Sequence, residues 1–236
     1  MMTGRLQIKP LSSGSHGNCY LVEDGMTAVL LECGIPIQKI RQGLDYQLSK
    51  VNACLISHEH GDHALAVQKI LEAGIDTYMT TGTRDALELQ HHRVHAVEEY
   101  AVYQVGNCHI MPVPVVHDAA QPVGYIVAST KNKLLFATDT AYMPVKVPKL
   151  THLMIECNHD KNIVIENMRN KTINKEYANR LASSHMEFSV LMAWLEELEK
   201  SALEEIWLLH YSVMNCDPLK CQKQIEARFG IPCYIA

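Results

Sequence analysis

Ser57-His58-Glu59-His60-Gly61-Asp62-His63 concentrates three imidazoles and a carboxylate in one short run. The run follows the apolar segment Val51–Ile56 and opens a helical pattern over Asp62–Ala73. In the extended exit of a strand, residues two apart point to the same side, so His58 and His60 can grip one ion together. The chain then turns at Gly61, and Asp62 and His63 approach from a first helical turn. Two histidines from one direction and an Asp-His pair from another suit two adjacent metal ions. Imidazole and carboxylate are ligands that zinc, manganese and iron all accept. A polar loop in which Asp62 merely serves the helix N-terminus is the other reading, but it makes the regular histidine spacing a chance event.

Positioning these side chains requires a scaffold of strand ends and helix starts. Short β-rich runs fill the first 145 residues: Leu6–Ile8, Cys19–Val22, Ala28–Leu31, Ala53–Ile56, Thr77–Met79, Ala101–Val105, Ile110–Val116, Gly124–Val127 and Leu134–Ala137. Gly, Asn, Asp or Pro separates them. Helical patterns interrupt at Pro36–Leu44, Asp62–Ala73 (with Gly74 as the C′ residue) and Thr83–Leu89. Beyond residue 150 a strand at Leu153–Cys157 precedes a polar stretch. Helices at Lys175–Ala182 and Glu187–Lys200, a strand at Ile206–His210, a helix at Pro218–Phe229 and a last short strand follow. Many strands first, then alternating helices and strands, predicts an α/β (α+β) protein of two packed sheets with helices outside. With no repeat and no linker, residues 1–236 read as a single domain.

Thirteen histidines accompany eight cysteines in the 236 residues. The cysteines form no CxxC pair, and several lie in apolar runs, where free cysteine behaves as a small hydrophobe. No secretory h-region and no stretch near the ~20 apolar residues of a membrane span are present, so the sequence predicts a cytoplasmic protein without a membrane partner. Cys216 and Cys221, with Asp217, form a minor metal-site candidate whose spacing is wider than paired zinc ligands usually show. A net charge of −5 excludes a globally basic nucleic-acid wrapper, though not a local groove.

His58-x-His60-x-Asp62-His63 resembles the signature of the metallo-β-lactamase superfamily. Three later positions are similar to that family's remaining motifs: His117 in Val-Pro-Val-Val-His-Asp, Asp139 in Leu-Leu-Phe-Ala-Thr-Asp-Thr, and His210 in Ile-Trp-Leu-Leu-His-Tyr-Ser. They stand in the family's order, and the similarity covers nearly the whole chain. Leu11–Leu21, His117–Gly124, Ala137–Thr140 and Glu156-Cys-Asn-His-Asp160 further resemble the WalJ/YycJ branch of exonuclease-like hydrolases. Two places depart from the pattern. Glu32 stands where the superfamily usually has aspartate before a glycine turn. Ser184-His185-Met-Glu-Phe-Ser189 replaces a Gly-His-Leu-Ser-Asn-Glu run, which predicts a different start for the following helix.

The resemblance implies an αββα sandwich with two mixed sheets, and two divalent ions, zinc or manganese with iron as a further option. It implies that His58, His60 and His117 hold one ion, that Asp62, His63 and His210 hold the other, and that Asp139 bridges them. Asp62 therefore counts among the catalytic residues as well as the ligands. A metal-bridging hydroxide is available in such a site because bound metal lowers a water pKa from 15.7 to about 7. His185 resembles the non-ligand histidine that ribonuclease Z–like members place near the scissile phosphate, and His159 is expected to contact phosphate or to orient a ligand. His91, His92 and His95 lie in a polar connection with no carboxylate beside it, and His16, His109 and His152 have no assigned role. The interval from Asp139 to His210 is too short for the large inserted β-CASP cap of related nucleases. The basic stretch Lys161–Arg180 is a possible source of phosphate contacts. The leading expectation is a phosphodiesterase or nuclease acting on nucleic acid. A hydrolase of a small ester (cyclic phosphodiester, lactone or thioester) is the alternative, and a non-catalytic metal sensor the third reading. Oligomeric state is not legible.

Overall fold

Ala28-Val-Leu-Leu, Ala53-Cys-Leu and Leu134-Leu-Phe-Ala carry no polar residue, and each becomes a strand buried along its length. Such continuous apolar runs are characteristic of parallel strands covered on both faces. The computed structural model describes residues 4–236, and the chain divides into two compact units.

The first unit comprises residues up to Val113 together with Ala119–Asn132. Its sheet has the order β1 (Gln7–Ser12), β2 (Cys19–Glu23), β3 (Ala28–Leu31), β4 (Ala53–Leu55), β5 (Asp76–Thr80) and β6 (Val94–Val97). The first two pairings are antiparallel and the other three parallel. Parallel neighbours need crossover connections, which carry α1 (Ile37–Gly43), α2 (Gly61–Ala64), α3 (Val67–Glu72) and α4 (Thr81–Ala86). The antiparallel pair β7 (Tyr103–Val105) and β8 (Cys108–Pro114) follows, then β9 (Val123–Ala128). Leu30, Ile40, Cys54, Ile56 and Ile70, all fully buried, centre this unit's core.

The second unit comprises Pro114–Asp118 and Lys133–Ala236. Four parallel strands lie side by side: β10 (Lys133–Ala137), β11 (His152–Glu156), β12 (Glu205–Leu209) and β13 (Cys233–Ile235). Helices α5 (Lys161–Arg169), α6 (Lys175–Ser184) and α7 (Phe188–Glu197) connect β11 to β12, and α8 (Pro218–Phe229) connects β12 to β13. Asp217 caps α8, its carboxylate accepting from the Lys220 amide at 3.0 Å, and Gly230 ends the helix at φ 67°. The fold class is the one expected, α/β with two mixed sheets and flanking helices. Among the described residues, no helix is long and apolar enough to cross a membrane.

The structure corrects several element boundaries. The helix expected over Asp62–Ala73 is two helices, because Ala66 leaves helical geometry at φ −97°, ψ 7°. Gly74 does close the second at φ 86°. Residues 161–169, read as a polar stretch, form α5. Its apolar residues Ile163-Val-Ile are consecutive rather than helically spaced, and only Val164 is buried. β6 was missed inside the polar histidine connection, since its four residues pair only at the sheet edge. His95 on that strand does have a carboxylate beside it, Asp76 at 3.3 Å, and stacks on Tyr78 with ring centroids 4.8 Å apart.

Candidate metal centre

In the first unit, β4 ends at Leu55 and the next residues deliver the histidine run. Glu59 turns away and accepts the Ala120 amide at 2.8 Å, so His58 and His60 share the other side, as alternation requires. His58 Nδ1 lies 2.8 Å from Ser57 Oγ, and its Nε2 lies 3.0 Å from His60 Nδ1. The His63 ring sits 4.2 Å from that of His58, and His63 Nε2 lies 3.5 Å from Asp62 Oδ2. Three imidazoles and a carboxylate thus converge within one unit.

Two groups hold this convergence from behind. Glu32 follows β3 with φ 63°, a conformation uncommon outside glycine. Its buried carboxylate accepts the Ser57 amide at 3.1 Å and lies 3.7 Å from His63 Nδ1. Burial raises the Glu32 carboxyl above its usual range, against the opposing pull of His63 and Ser57. His63 Nδ1 faces Glu32, and Nε2 faces Asp62 on the other side of the ring. Asn18 pins the same loop: its backbone amide donates to Asp62 O at 2.7 Å, and its side-chain amide lies 3.2 Å from His63 Nε2.

Gly34 explains why the chain can pass so close. A Cβ there would stand 1.7 Å from Asp62 O and 2.7 Å from His63 N. Gly34→Ala is expected to push the Asp62-His63 turn outward and to destabilise the protein by about 1–3 kcal/mol, as overpacking does. Thermal denaturation checks this, and an unchanged midpoint would refute the close approach.

In the second unit, β10, β11 and β12 are parallel neighbours, so their C-terminal ends lie side by side. Open parallel sheets present ligands at that edge. Asp139 comes just after β10, Glu156 ends β11 and His210 follows β12. Asp139 and His210 both adopt positive φ, 45° and 49°. Two non-glycine residues in this sparsely populated region, at the ends of the two strands that flank β11, mark strain of the kind that collects at functional sites. His210 Nδ1 lies 3.1 Å from Asp139 Oδ1, and His117 Nε2 lies 3.5 Å from Asp139 Oδ2. His117 Nδ1 donates to the Ser184 carbonyl at 2.8 Å, which leaves Nε2 on the side of Asp139. Burial lowers the His117 pKa, against the opposing pull of Asp139.

Glu156 is the hub of this unit. Fully buried, it accepts from His185 Nδ1 at 2.7 Å, His210 Nδ1 at 2.9 Å, and the amides of Met186 and Thr140 at 2.9 Å each. Burial alone would raise its carboxyl, but the two imidazoles hold it below the usual value. Burial likewise opposes charge on His185, yet Glu156 wins and raises its pKa. His185 closes α6 and stacks on His210, ring centroids 5.4 Å apart. Asp139, Glu156, His185 and His210 each place a donor atom within 4.8 Å of the others.

His159 lies apart from this group. It is buried, bridges backbone to backbone with Glu187, and its Nδ1 has no hydrogen-bond partner among the described residues. Burial lowers its pKa. The departure around His185 has a visible outcome: α7 starts at Phe188, with Glu187 as its N-cap accepting the Ser189 amide at 3.0 Å.

Sequence reading singled out Glu32 only as a departure and gave Glu156 no role. The signal existed, since each is the lone carboxylate in an apolar strand environment, where an unpaired charge is prohibitively costly. Each unit taken alone offers imidazole nitrogens set against carboxylate oxygens at 3.1–3.7 Å. That donor chemistry fits divalent cations of the zinc and manganese kind.

A family model described as a β-lactamase superfamily domain matches residues 27–211. An exodeoxyribonuclease WalJ of Streptococcus pneumoniae is 28% identical over 169 residues, covering 65% of this chain and 63% of its own length. An exodeoxyribonuclease YycJ of Bacillus anthracis is 24% identical over 168 residues, 66% of this chain and 64% of that protein. The chain thus spans slightly under two thirds of these curated relatives. Among solved structures, the metallo-β-lactamase fold protein YhfI of Bacillus subtilis superposes with a TM-score of 0.76 at 14% identity, over 98% of this chain and 96% of that one.

Proposed function

Because this chain belongs to the β-lactamase superfamily, we propose that it is a metal-dependent phosphodiesterase, a nuclease acting on DNA or RNA as one cytoplasmic hydrolase domain. The observation that carries this reading is the strained Asp139–His210 pair, at the ends of the two strands that flank β11, anchored by buried Glu156. The kinship with exodeoxyribonucleases supports a nucleic-acid substrate.

In this reading His58, His60 and His117 would hold one divalent ion and Asp62, His63 and His210 a second, with Asp139 available to both. Ions bound there supply Lewis acidity and bring the pKa of a water toward neutrality. The chain's residues do the rest. Glu32 and Glu156 fix the imidazoles of His63 and His210 in the tautomer that exposes a lone pair. His185, held by Glu156 through Nδ1, keeps a proton for the leaving oxygen on its other nitrogen. His159, buried beside Asn158 and Glu187, serves to position its segment.

His185→Ala is expected to keep full metal content while turnover falls about 100-fold, the lower range for a general acid. Metal analysis with steady-state kinetics reads both; unchanged turnover would remove the role. Labelled single- and double-stranded DNA, RNA and bis-p-nitrophenyl phosphate, each with Mn²⁺ or Zn²⁺, test the function. Cleavage of a polynucleotide is expected. Cleavage of the small diester alone would replace the nuclease reading with a small-ester hydrolase, and binding of metal without any turnover would leave a sensor.

A further inference from the structure

Cys157, Cys216 and Cys221 are each buried, and their three sulfurs lie within 4.8 Å of one another. They come from separate elements of the second unit. Cys157 follows β11, Cys216 ends the loop after β12, and Cys221 sits in the first turns of α8. Buried cysteine ordinarily packs as a small hydrophobe. Here the side chains converge sulfur to sulfur, with Cys216 Sγ 3.9 Å from Cys221 Sγ.

The spacing has a metric meaning. A cation with bonds of ~2.3 Å to three thiolates in a plane needs sulfurs about 4.0 Å apart, whereas a disulfide needs about 2.05 Å. The Cys216–Cys221 separation of 3.9 Å meets the first requirement, and the other two sulfur pairs lie within 4.8 Å. Among the described residues, no histidine or carboxylate joins the three sulfurs as a fourth donor. Three soft donors without a hard one select thiophilic ions of filled d shell, such as Cu⁺, over the ions that imidazole and carboxylate prefer.

We propose that Cys157, Cys216 and Cys221 form a second, separate metal site, a trigonal thiolate site for one thiophilic d¹⁰ cation. The site joins the end of β11 to the start of α8 and adjoins Glu156 in sequence, so a bound ion braces the segment that presents the hub carboxylate. The inference does not depend on the proposed hydrolase activity.

The test titrates the reduced, folded protein, freed of metal, with Cu⁺ under anaerobic conditions and with Cd²⁺ in parallel. The thiolate-to-metal charge-transfer absorbance is specific to sulfur ligation and blind to a His/Asp centre. Saturation at about one cation per chain is expected. The band should persist in Cys108→Ser and in Asp139→Asn, and disappear in Cys216→Ser and Cys221→Ser, whose folding is checked by circular dichroism. Where a serine variant does not fold, alkylation mapping of the wild-type protein decides, because a bound cation should protect these three thiols selectively. Absence of the band in wild type, its persistence in both serine variants, equal alkylation with and without cation, or a Cys216–Cys221 disulfide that excludes uptake each overturns the site.

Discussion

Asp139→Asn is expected to cut phosphodiester hydrolysis roughly a thousandfold, since metal Lewis acidity is worth several kcal/mol and each 1.36 kcal/mol is tenfold. The substitution separates charge from shape. Asparagine tolerates the left-handed region at least as well as aspartate, so the backbone at φ 45° survives. Oδ1 remains able to accept from Thr138 Oγ1, now at 2.9 Å. What disappears is the negative charge lying 3.1 Å from His210 Nδ1 and 3.5 Å from His117 Nε2. Bound divalent metal per chain should fall with activity, while the melting profile of the metal-free protein stays close to wild type. Full metal content and full turnover in the folded variant would show that Asp139 is not a ligand.

Glu156→Ala is expected to be the most damaging single change to stability. It strips four donors of one acceptor: His185, His210 and the amides of Met186 and Thr140. Breaking a buried pair of this kind costs about 3–5 kcal/mol, and a chain of this length loses about 2–4 °C of melting temperature per kcal/mol. A fall on the order of 10 °C therefore follows. Loss of the outer hydrogen bond to a ligand histidine should also weaken metal affinity about 10–100-fold. Glu156→Gln keeps one carbonyl acceptor and introduces a donor facing donors, so it should fall between wild type and alanine in both measurements. Calorimetry and metal titration read the two effects separately, and a wild-type melting temperature in Glu156→Ala would refute the hub.

Much of the scaffold was legible because its signals are local. Apolar runs such as Leu134–Ala137 and Ala53–Leu55 can only be covered strands. Asp217-Pro218 and Gly230 bracket α8 by capping chemistry. The errors arose where local pattern and tertiary role part company. α5 hides its single buried residue, Val164, inside three consecutive apolar residues, and β6 takes its identity from pairing with β5. The helix after the histidine run breaks at Ala66, which nothing in an alanine side chain announces.

The sequence by itself determined the donor types and the strand-end or helix-start positions of His58, His60, Asp62, His63, His117, Asp139 and His210, because alternation, apolar runs and turn residues act over a few neighbours. Tertiary structure alone decided what stands behind them. Glu156 meets His185 and His210 only because β11 lies beside β12 and α6 ends above it, and Glu32 meets His63 only because β3 pairs with β4. The same holds for the cysteines: Cys157 reaches Cys216 and Cys221 across some sixty positions of sequence through one parallel strand pairing. Spacing along the chain encodes which chemistry is offered, whereas non-local strand pairing sets which groups share a buried space and so which charges and thiols must answer one another.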